Sequence, residues 1–256
     1  MKFPDKRKRD RMVAGFAGPL RARMLLTIRR KAYESALAAL PRIDRTALVL
    51  GSAPSPTPPA EIDPNWFVIT VNASHHLARD LGLGVPDLTI FRDEMWSVGP
   101  VSHNALIGGR TRFLIANLAG NSDNQLEGLL TRLDFVADRV QFVSRHIRGA
   151  VILEMTGRPF VMLAGRHGIS NGVFAALLAL KLGAPRVIMT GFSLSNGWYP
   201  SGNAETTRGH IPKDRIVCRE MARRGAPIFA TDPAFSEATG LRLIEGARRL
   251  REEQAK

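Results

Sequence analysis

From residue 47 onward, short apolar runs alternate with stretches of helical periodicity. Ala47-Leu48-Val49-Leu50-Gly51 reads as a buried strand entering a tight turn. Ser52 to Pro59 follows, too rich in proline for a helix interior. Trp66 to Asn72 predicts a second strand, and Ser74 to Leu83 a helix. Asp87 to Phe91 predicts a third strand, ending at Arg92-Asp93-Glu94. Arg112 to Ala116 and Val140 to Val143 read as further strands separated by a helix. A helix from Asn171 to Leu182 precedes a strand from Arg186 to Thr190. A basic helix from Asp214 to Arg224 precedes a strand from Pro227 to Thr231, and a charged helix from Gly240 to Gln254 closes the chain.

Short apolar strands alternating with helices predict an α/β fold, a mostly parallel sheet covered on both faces. Each strand ends in small or polar residues: Gly51-Ser52, Asn72, Arg92-Asp93-Glu94, Thr190-Gly191-Phe192-Ser193 and Thr231-Asp232. In a parallel sheet these ends share one rim, where open α/β proteins bind ligands. There is no internal repeat and no low-complexity segment.

Composition narrows the class. With 256 residues and 45% hydrophobic content, the chain suffices for one large α/β domain with an appendage. The single cysteine, Cys218, excludes an internal disulfide and any multi-cysteine zinc site, and fits a reducing compartment. The net charge of +13 is uneven: residues 1–46 hold 13 Lys/Arg against 4 Asp/Glu, about +9 on the first sixth of the chain. A nucleic-acid reading of the whole chain from its pI of 11.0 is therefore weak. We divide the chain into a basic helical arm, 1–46, and a domain, 47–256. The arm has too short an apolar run for a secretory signal or a membrane span. Met24, Leu25, Ile28, Ala32 and Ser35 share a helical face flanked by arginines. That pattern suits an interfacial helix on an anionic membrane, at the inner face of a cytoplasmic enzyme's membrane. It equally suits an arm packed on its own domain, and nucleic acid is the third reading.

The candidate chemistry lies on the rim. Gly51-Ser52-Ala53-Pro54-Ser55 offers a tight turn with amides and hydroxyls for an anion, but is neither a P-loop nor a full dinucleotide fingerprint. Asn72 supplies a donor and an acceptor, as a sugar or base requires, and Glu94 ends the next strand. Ser170-Asn171-Gly172 opens a helix, as an N-cap does, but Arg166 and His167 just upstream are groups that capping does not need. His210, after a loop rich in Gly, Ser, Asn and Thr, is the best general base, beside a lid at about residues 193–213. No His-x-x-x-His, Asp-x-Asp or cysteine cluster points to a metal, and no cofactor is expected.

The ordered set resembles the small bacterial sialyltransferases of glycosyltransferase family 42. The motifs that carry it are Leu50 to Ser55 with Glu61-Ile62-Asp63, Asn72, Ile169 to Val173, the strand into Thr190-Gly191-Phe192, and Gly209-His210. They cover residues 47 to about 240 and leave out the arm. The resemblance implies a Rossmann-like nucleotide-binding domain with a lid, a CMP-sialic acid donor, inversion at the anomeric carbon and no metal. It implies that Gly51, Ser52, Ala53, Asn72 and Glu94 face the nucleotide sugar. Arg166, Ser170, Asn171 and Gly191 would belong to the same subsite. His210 would take the acceptor hydroxyl's proton, and Tyr199 would hydrogen-bond the departing phosphate. The chain departs from the family at Ser52, where an asparagine is expected, at Ala53 for a glycine, at Ser195 for a phosphate-binding tyrosine and at Ser193 for an aspartate. Another CMP-linked acidic sugar, such as Kdo, therefore stays open as donor.

The sequence thus predicts a metal-independent glycosyltransferase with a nucleotide-sugar donor and a surface glycan or glycolipid acceptor, as in lipopolysaccharide or capsule biosynthesis. The alternatives are a pterin pyrophosphokinase-like enzyme and a non-catalytic nucleotide- or glycan-binding protein recruited by its arm.

Overall fold

Strand β1, Ala47–Leu50, has all four residues buried, as a strand covered on both faces must. In the computed structural model, which describes residues 30–53, 56–91, 104, 106–118, 123–158, 168–195 and 209–244, this strand lies inside an eight-stranded sheet. Its companions are β2 (Phe67–Val71), β3 (Leu88–Phe91), β4 (Arg110–Leu118), β5 (Val136–Ser144), β6 (Val187–Thr190), β7 (Ile228–Ala230) and β8 (Arg242–Leu243). The order is β5-β4-β3-β2-β1-β6-β7-β8, and every pairing is parallel. The chain winds outward from β1 to β5, then returns to lay β6 on the other side of β1. Leu50 thus stands in register with Thr70 of β2 on one flank and Thr190 of β6 on the other. The connections diverge at the β1/β6 boundary, the place where open α/β sheets form a ligand crevice outside their strand ends. This is the expected Rossmann-like parallel sheet.

Helices cover both faces. Alternate residues Ala47, Val49, Val187 and Met189 pack against α4 (Arg145–Thr156), α5 (Asn171–Lys181) and α6 (Ile211–Arg223). The opposite set, Leu48, Leu50, Val68 and Ile188, packs on Leu77 and Ala78 of α2 (His75–Asp80). Beside it, Phe91, Leu114 and Ala116 meet Leu126 and Leu129 of α3 (Asp123–Arg132). Helix α5 is buried along Gly172–Ala179 and is the central helix of its layer. Being apolar all round, it needs neighbours on every side, and α4, α6 and the sheet supply them.

The described end of the basic arm lies on the domain. In α1 (Arg30–Ala38), Tyr33 and Leu37 pack against the core, and beyond it Leu40 and Ile43 are buried. The Tyr33 hydroxyl donates to Glu154 of α4 at 2.5 Å, and the Ile43 N–H donates to the Leu182 carbonyl at 3.0 Å. Glu154 also holds Lys181 of α5. Residues 1–29, with Met24, Leu25 and Ile28 of the expected interfacial face, lie outside the described residues, as does most of the lid segment.

Several expected elements change. The closing helix predicted from Gly240 does not start there: Gly240, at φ 73°, caps the end of α7 (Pro233–Thr239), and Arg242–Leu243 pairs with β7 as β8, while residues 245–254 of that predicted helix lie outside the described residues. Its charged pattern concealed a glycine whose left-handed conformation stops a helix. Helix α7 was not expected, although Asp232 accepts from the Phe235 N–H at 2.9 Å and Pro233 follows, a regular N-terminal signal. Helix α4 was also not expected; Ser144 caps it directly after β5. The helix predicted over Ser74 to Leu83 is shortened to α2, because Asn72–Ser74 forms a 3-10 turn ahead of it.

The ends of α4 and α6 are locked by charge. Glu220 binds Arg223 at 2.8 Å and Arg224 at 2.7 Å, and lies 3.6 Å from Arg158. Arg224 in turn donates to the Thr156 carbonyl at 2.6 Å, satisfying a terminal acceptor of α4. Hydrogen bonds from Arg223 and then Arg224 push the Glu220 carboxyl down to about 2. A carboxyl depressed on folding contributes stability that is full above its unfolded value, near 4.5, and is lost as pH falls towards 2. Glu220→Gln is expected to lower Tm at pH 7 and to leave a shallower fall in Tm between pH 4.5 and 2.5 than the parent shows. Parallel melting curves across that range provide the check.

Candidate functional site

At the crevice, two turns touch. The Gly51 N–H donates to the Thr190 carbonyl and the Ala53 N–H to the Gly191 carbonyl, both at 2.8 Å. A Cβ on Gly51 would stand 2.3 Å from the Gly191 oxygen, and one on Gly191 would stand 2.9 Å from the Gly51 oxygen. Gly191 also has φ 74°. Glycine is required at both positions by close approach, and at Gly191 by conformation as well. Ala53 is buried, and its N–H is held by Gly191, so its part is to pin the two turns together. Ser52 beside it is half-buried.

The same contact reaches α5. Phe192, directly after Gly191, packs on Phe235 with ring centroids 5.7 Å apart and lies over Gly172, where a Cβ would meet the ring at 2.3 Å. Glycine at position 172 lets the start of α5 approach the crevice. There Ser170 caps the helix, its Oγ accepting from the Val173 N–H at 3.2 Å.

A connected polar set surrounds this helix start. Asn171 Nδ2 donates to Asn72 Oδ1 at 3.3 Å, joining α5 to the end of β2. Asn72 has φ 49°, a left-handed conformation that asparagine tolerates better than most residues. Arg148 of α4 donates through Nη1 to Asn171 Oδ1 at 2.5 Å. Its Nη2 donates to the Ile169 carbonyl at 2.8 Å and the Ser170 carbonyl at 3.3 Å. Arg148 is 8% exposed, and its guanidinium carbon lies 4.4 Å from the centroid of the Phe174 ring. On the other side, Asp214 Oδ1 accepts the Ser170 N–H at 2.8 Å. Asp214 Oδ2 stands 3.7 Å from Nε2 of His210, the N-cap residue of α6.

The structure therefore brings together Asn72, Ser170, Asn171 and His210 of the sequence candidates, with Gly51, Ala53 and Gly191 as the pinned turns beneath them. Ser195 is exposed and donates to Ser193 Oγ at 3.1 Å, a contact outside that set. Glu94, Arg166 and Tyr199 lie outside the described residues. Arg148 and Asp214 were not singled out from sequence. Asp214 had a readable signal, an acid at i+4 from the histidine on a helix; Arg148 had none beyond a basic run after β5. Among the described residues, no group of three or more His, Cys, Asp or Glu could hold a metal ion. Nor, among them, is any helix long and apolar enough to cross a membrane. His75 is structural: buried, 3.0 Å from Thr89 Oγ1, it has its basicity pushed down to about 4, chiefly by burial.

Comparisons with known proteins bear on the fold. No protein-family model and no curated protein matches the sequence. Among solved structures, the sialyltransferase Cst-II, as a tyrosine-to-phenylalanine variant in complex with CMP, superposes with a TM-score of 0.50 at 10% identity, covering 80% of this chain and 88% of that one. The CstII sialyltransferase of Campylobacter jejuni in complex with cytidine-5'-monophosphate gives 0.47 at 11% identity, covering 81% and 88%. The monofunctional alpha-2,3-sialyltransferase Cst-I of the same organism gives 0.47 at 12%, covering 78% and 80%. The resemblance found in the motifs thus extends to the fold.

The packing at Gly172 generates a specific expectation. Gly172→Ala forces the Phe192 ring into Phe235, and overpacking of this kind costs about 1–3 kcal/mol. Phe192→Leu frees the space, so the double variant is expected to recover part of that loss. A double-mutant cycle in urea measures the coupling, and strictly additive losses would contradict the contact.

Proposed function

We propose that the chain is a glycosyltransferase that needs no metal and takes its sugar from a nucleotide donor, CMP-sialic acid or another CMP-linked acidic sugar. The observation that carries this reading is the convergence of Asn72, Asn171, Ser170, Asp214 and His210 at the carboxyl edge of the sheet, beside the β1/β6 crevice. Motif order supports it, and so does the likeness of fold to a sialyltransferase solved with CMP.

In this reading, His210 removes the proton from an acceptor hydroxyl as that oxygen attacks the anomeric carbon. The bond from that carbon to the CMP phosphate breaks, the phosphate leaves with the electron pair, and configuration inverts. The imidazolium formed is stabilised by the Asp214 carboxylate 3.7 Å away, which is itself oriented by the Ser170 N–H. Negative charge grows on the departing phosphate, so fixed donors aimed at it lower the barrier without a metal. Tyr199 is assigned that role by the family resemblance. Asn72 and Asn171, with Ser52, Glu94 and Arg166, hold the donor. The acceptor is a surface glycan or glycolipid, and the arm of residues 1–46 keeps the domain of residues 47–256 at the inner face of the membrane.

CMP is expected to raise Tm in the presence of EDTA, and UMP and GMP are not. At a hundredfold excess over Kd, the gain is about 2.7 kcal/mol. His210→Ala is expected to keep CMP affinity within twofold while lowering kcat with CMP-sialic acid or CMP-Kdo by about 10²- to 10⁴-fold. Stabilisation that needs magnesium, or that shows no cytidine preference, would overturn the assignment. CMP binding with no transfer from any CMP-sugar would leave a binding protein.

A further inference from the structure

We infer that Arg186 and Arg242, which flank Phe229, form a phosphate-binding site on the sheet face turned away from α4, α5 and α6. Ile228 and Ala230 of β7 are buried in the core beneath those helices, so Phe229 between them points to the opposite face. Phe229 stands in register with Ile188 of β6 on one flank and with Arg242 of β8 on the other. Arg186, two residues before Ile188, lies on the same face. The guanidinium carbons of Arg186 and Arg242 each stand 4.4 Å from the centroid of the Phe229 ring. The two arginines come from opposite sides of β7, and their charges are at most about 9 Å apart, inside a Debye length.

Nothing acidic offsets this pair. Among the described residues, neither arginine forms an ion pair or a side-chain hydrogen bond, and Arg186 Nε is shut off from water with no acceptor. Elsewhere arginines find carboxylates: Arg45 and Arg112 share Asp87, and Arg110 holds Asp138. A ring attracts one guanidinium, but a second on the same ring adds repulsion that packing does not require. A bound anion offsets both the repulsion and the buried donor. A guanidinium over a ring keeps N–H donors for other partners. One planar fork fills a carboxylate, whereas a phosphate has oxygens enough for two. The site is separate from the rim, since Arg186 lies four residues before Thr190, roughly 13 Å along the strand.

Two sources carry this chemistry, a soluble phosphate compound and the headgroup of an anionic lipid, and the test separates them. Inorganic phosphate is titrated into the full-length protein against chloride at equal ionic strength, and arginine side-chain 15N signals are followed. The Nε–H signals of Arg186 and Arg242, assigned by their loss in Arg186→Gln and Arg242→Gln, are expected to move with phosphate and not with chloride. Each single variant is expected to weaken phosphate binding about tenfold, the scale of one charged hydrogen-bonding partner. This readout is local to the two side chains, so it stands whether or not the protein binds CMP. In parallel, flotation with phosphatidylglycerol vesicles compares the wild type, Arg186→Gln/Arg242→Gln and the charge-matched Arg132→Gln/Arg139→Gln. Arg132 and Arg139 are exposed and lie at α3 and β5, remote from β7 in the sheet order. Shifts with phosphate and equal vesicle binding by all three proteins assign a soluble phosphate ligand. A loss of about 30-fold confined to the Arg186 and Arg242 variant assigns the lipid headgroup. Signals that ignore phosphate, together with vesicle binding alike in the two double variants, would overturn the inference. Should Arg186→Gln not fold, Arg242→Gln, which alters an exposed side chain, carries the same test.

Discussion

The contact between the Gly51 and Gly191 turns governs the geometry of the rim. Two backbones meet where a single added carbon would sit 2.3 Å from an oxygen. The strands on either side belong to opposite halves of the winding, so this contact sets how far the halves can separate. Phe192 follows Gly191 and lies over Gly172, so the same contact fixes the approach of α5. Helix α5 then delivers Ser170 and Asn171, and through them Asn72 and Asp214. The polar groups of the candidate site thus inherit their positions from a packed backbone rather than from their own attractions.

Two buried charges hold the start of α5 from opposite sides. Asp214 receives the Ser170 N–H, while Arg148 gives its protons to the carbonyls of Ile169 and Ser170. Each charge takes the half of the backbone that suits its sign, so the pair grips the residues on both sides of the cap without leaving either charge unsatisfied. Burying one charge alone would cost several kcal/mol. The arrangement also places opposite charges on the two routes away from the cap. The carboxylate leads to His210 and the guanidinium to Asn171 and Asn72, which in the proposed function separates proton handling from ligand holding.

The fold was largely legible because buried parallel strands are short apolar runs, and Ala47–Leu50, Phe67–Val71 and Val187–Thr190 could hardly be anything else. Their polar ends could be assigned to one rim on the same ground. Helix α4 was not legible, because the basic residues at its start interrupt the apolar pattern that makes α5 plain. The start of the closing segment misled for a different reason: charge periodicity after Gly240 looks helical, while the glycine's conformation depends on α7 in front of it. Within the candidate site, the residues that sequence alone could single out carry their own chemical signature: His210, Ser170, Asn171 and Asn72. Arg148 was not, because its meaning lies in partners 21 to 23 residues away and in the burial that makes a surface residue type structural.

Three positions in this set violate local preference. Asn72 has positive φ; Arg148 is a cation at a helix N-terminus; and His210 occupies the N-cap of α6, where no side-chain capping bond is made. A serine or aspartate at position 210 would start that helix better. Scattered through the molecule, such departures would each need a separate explanation. Here the three are connected by Asn171, Ser170 and Asp214 into one continuous set at one edge of the sheet. Sequences that are otherwise locally consistent tolerate such conflicts where a site must be held in a particular state. The concentration of these departures at one sheet edge supports the proposal that this edge is the working face, on grounds independent of any resemblance to another protein.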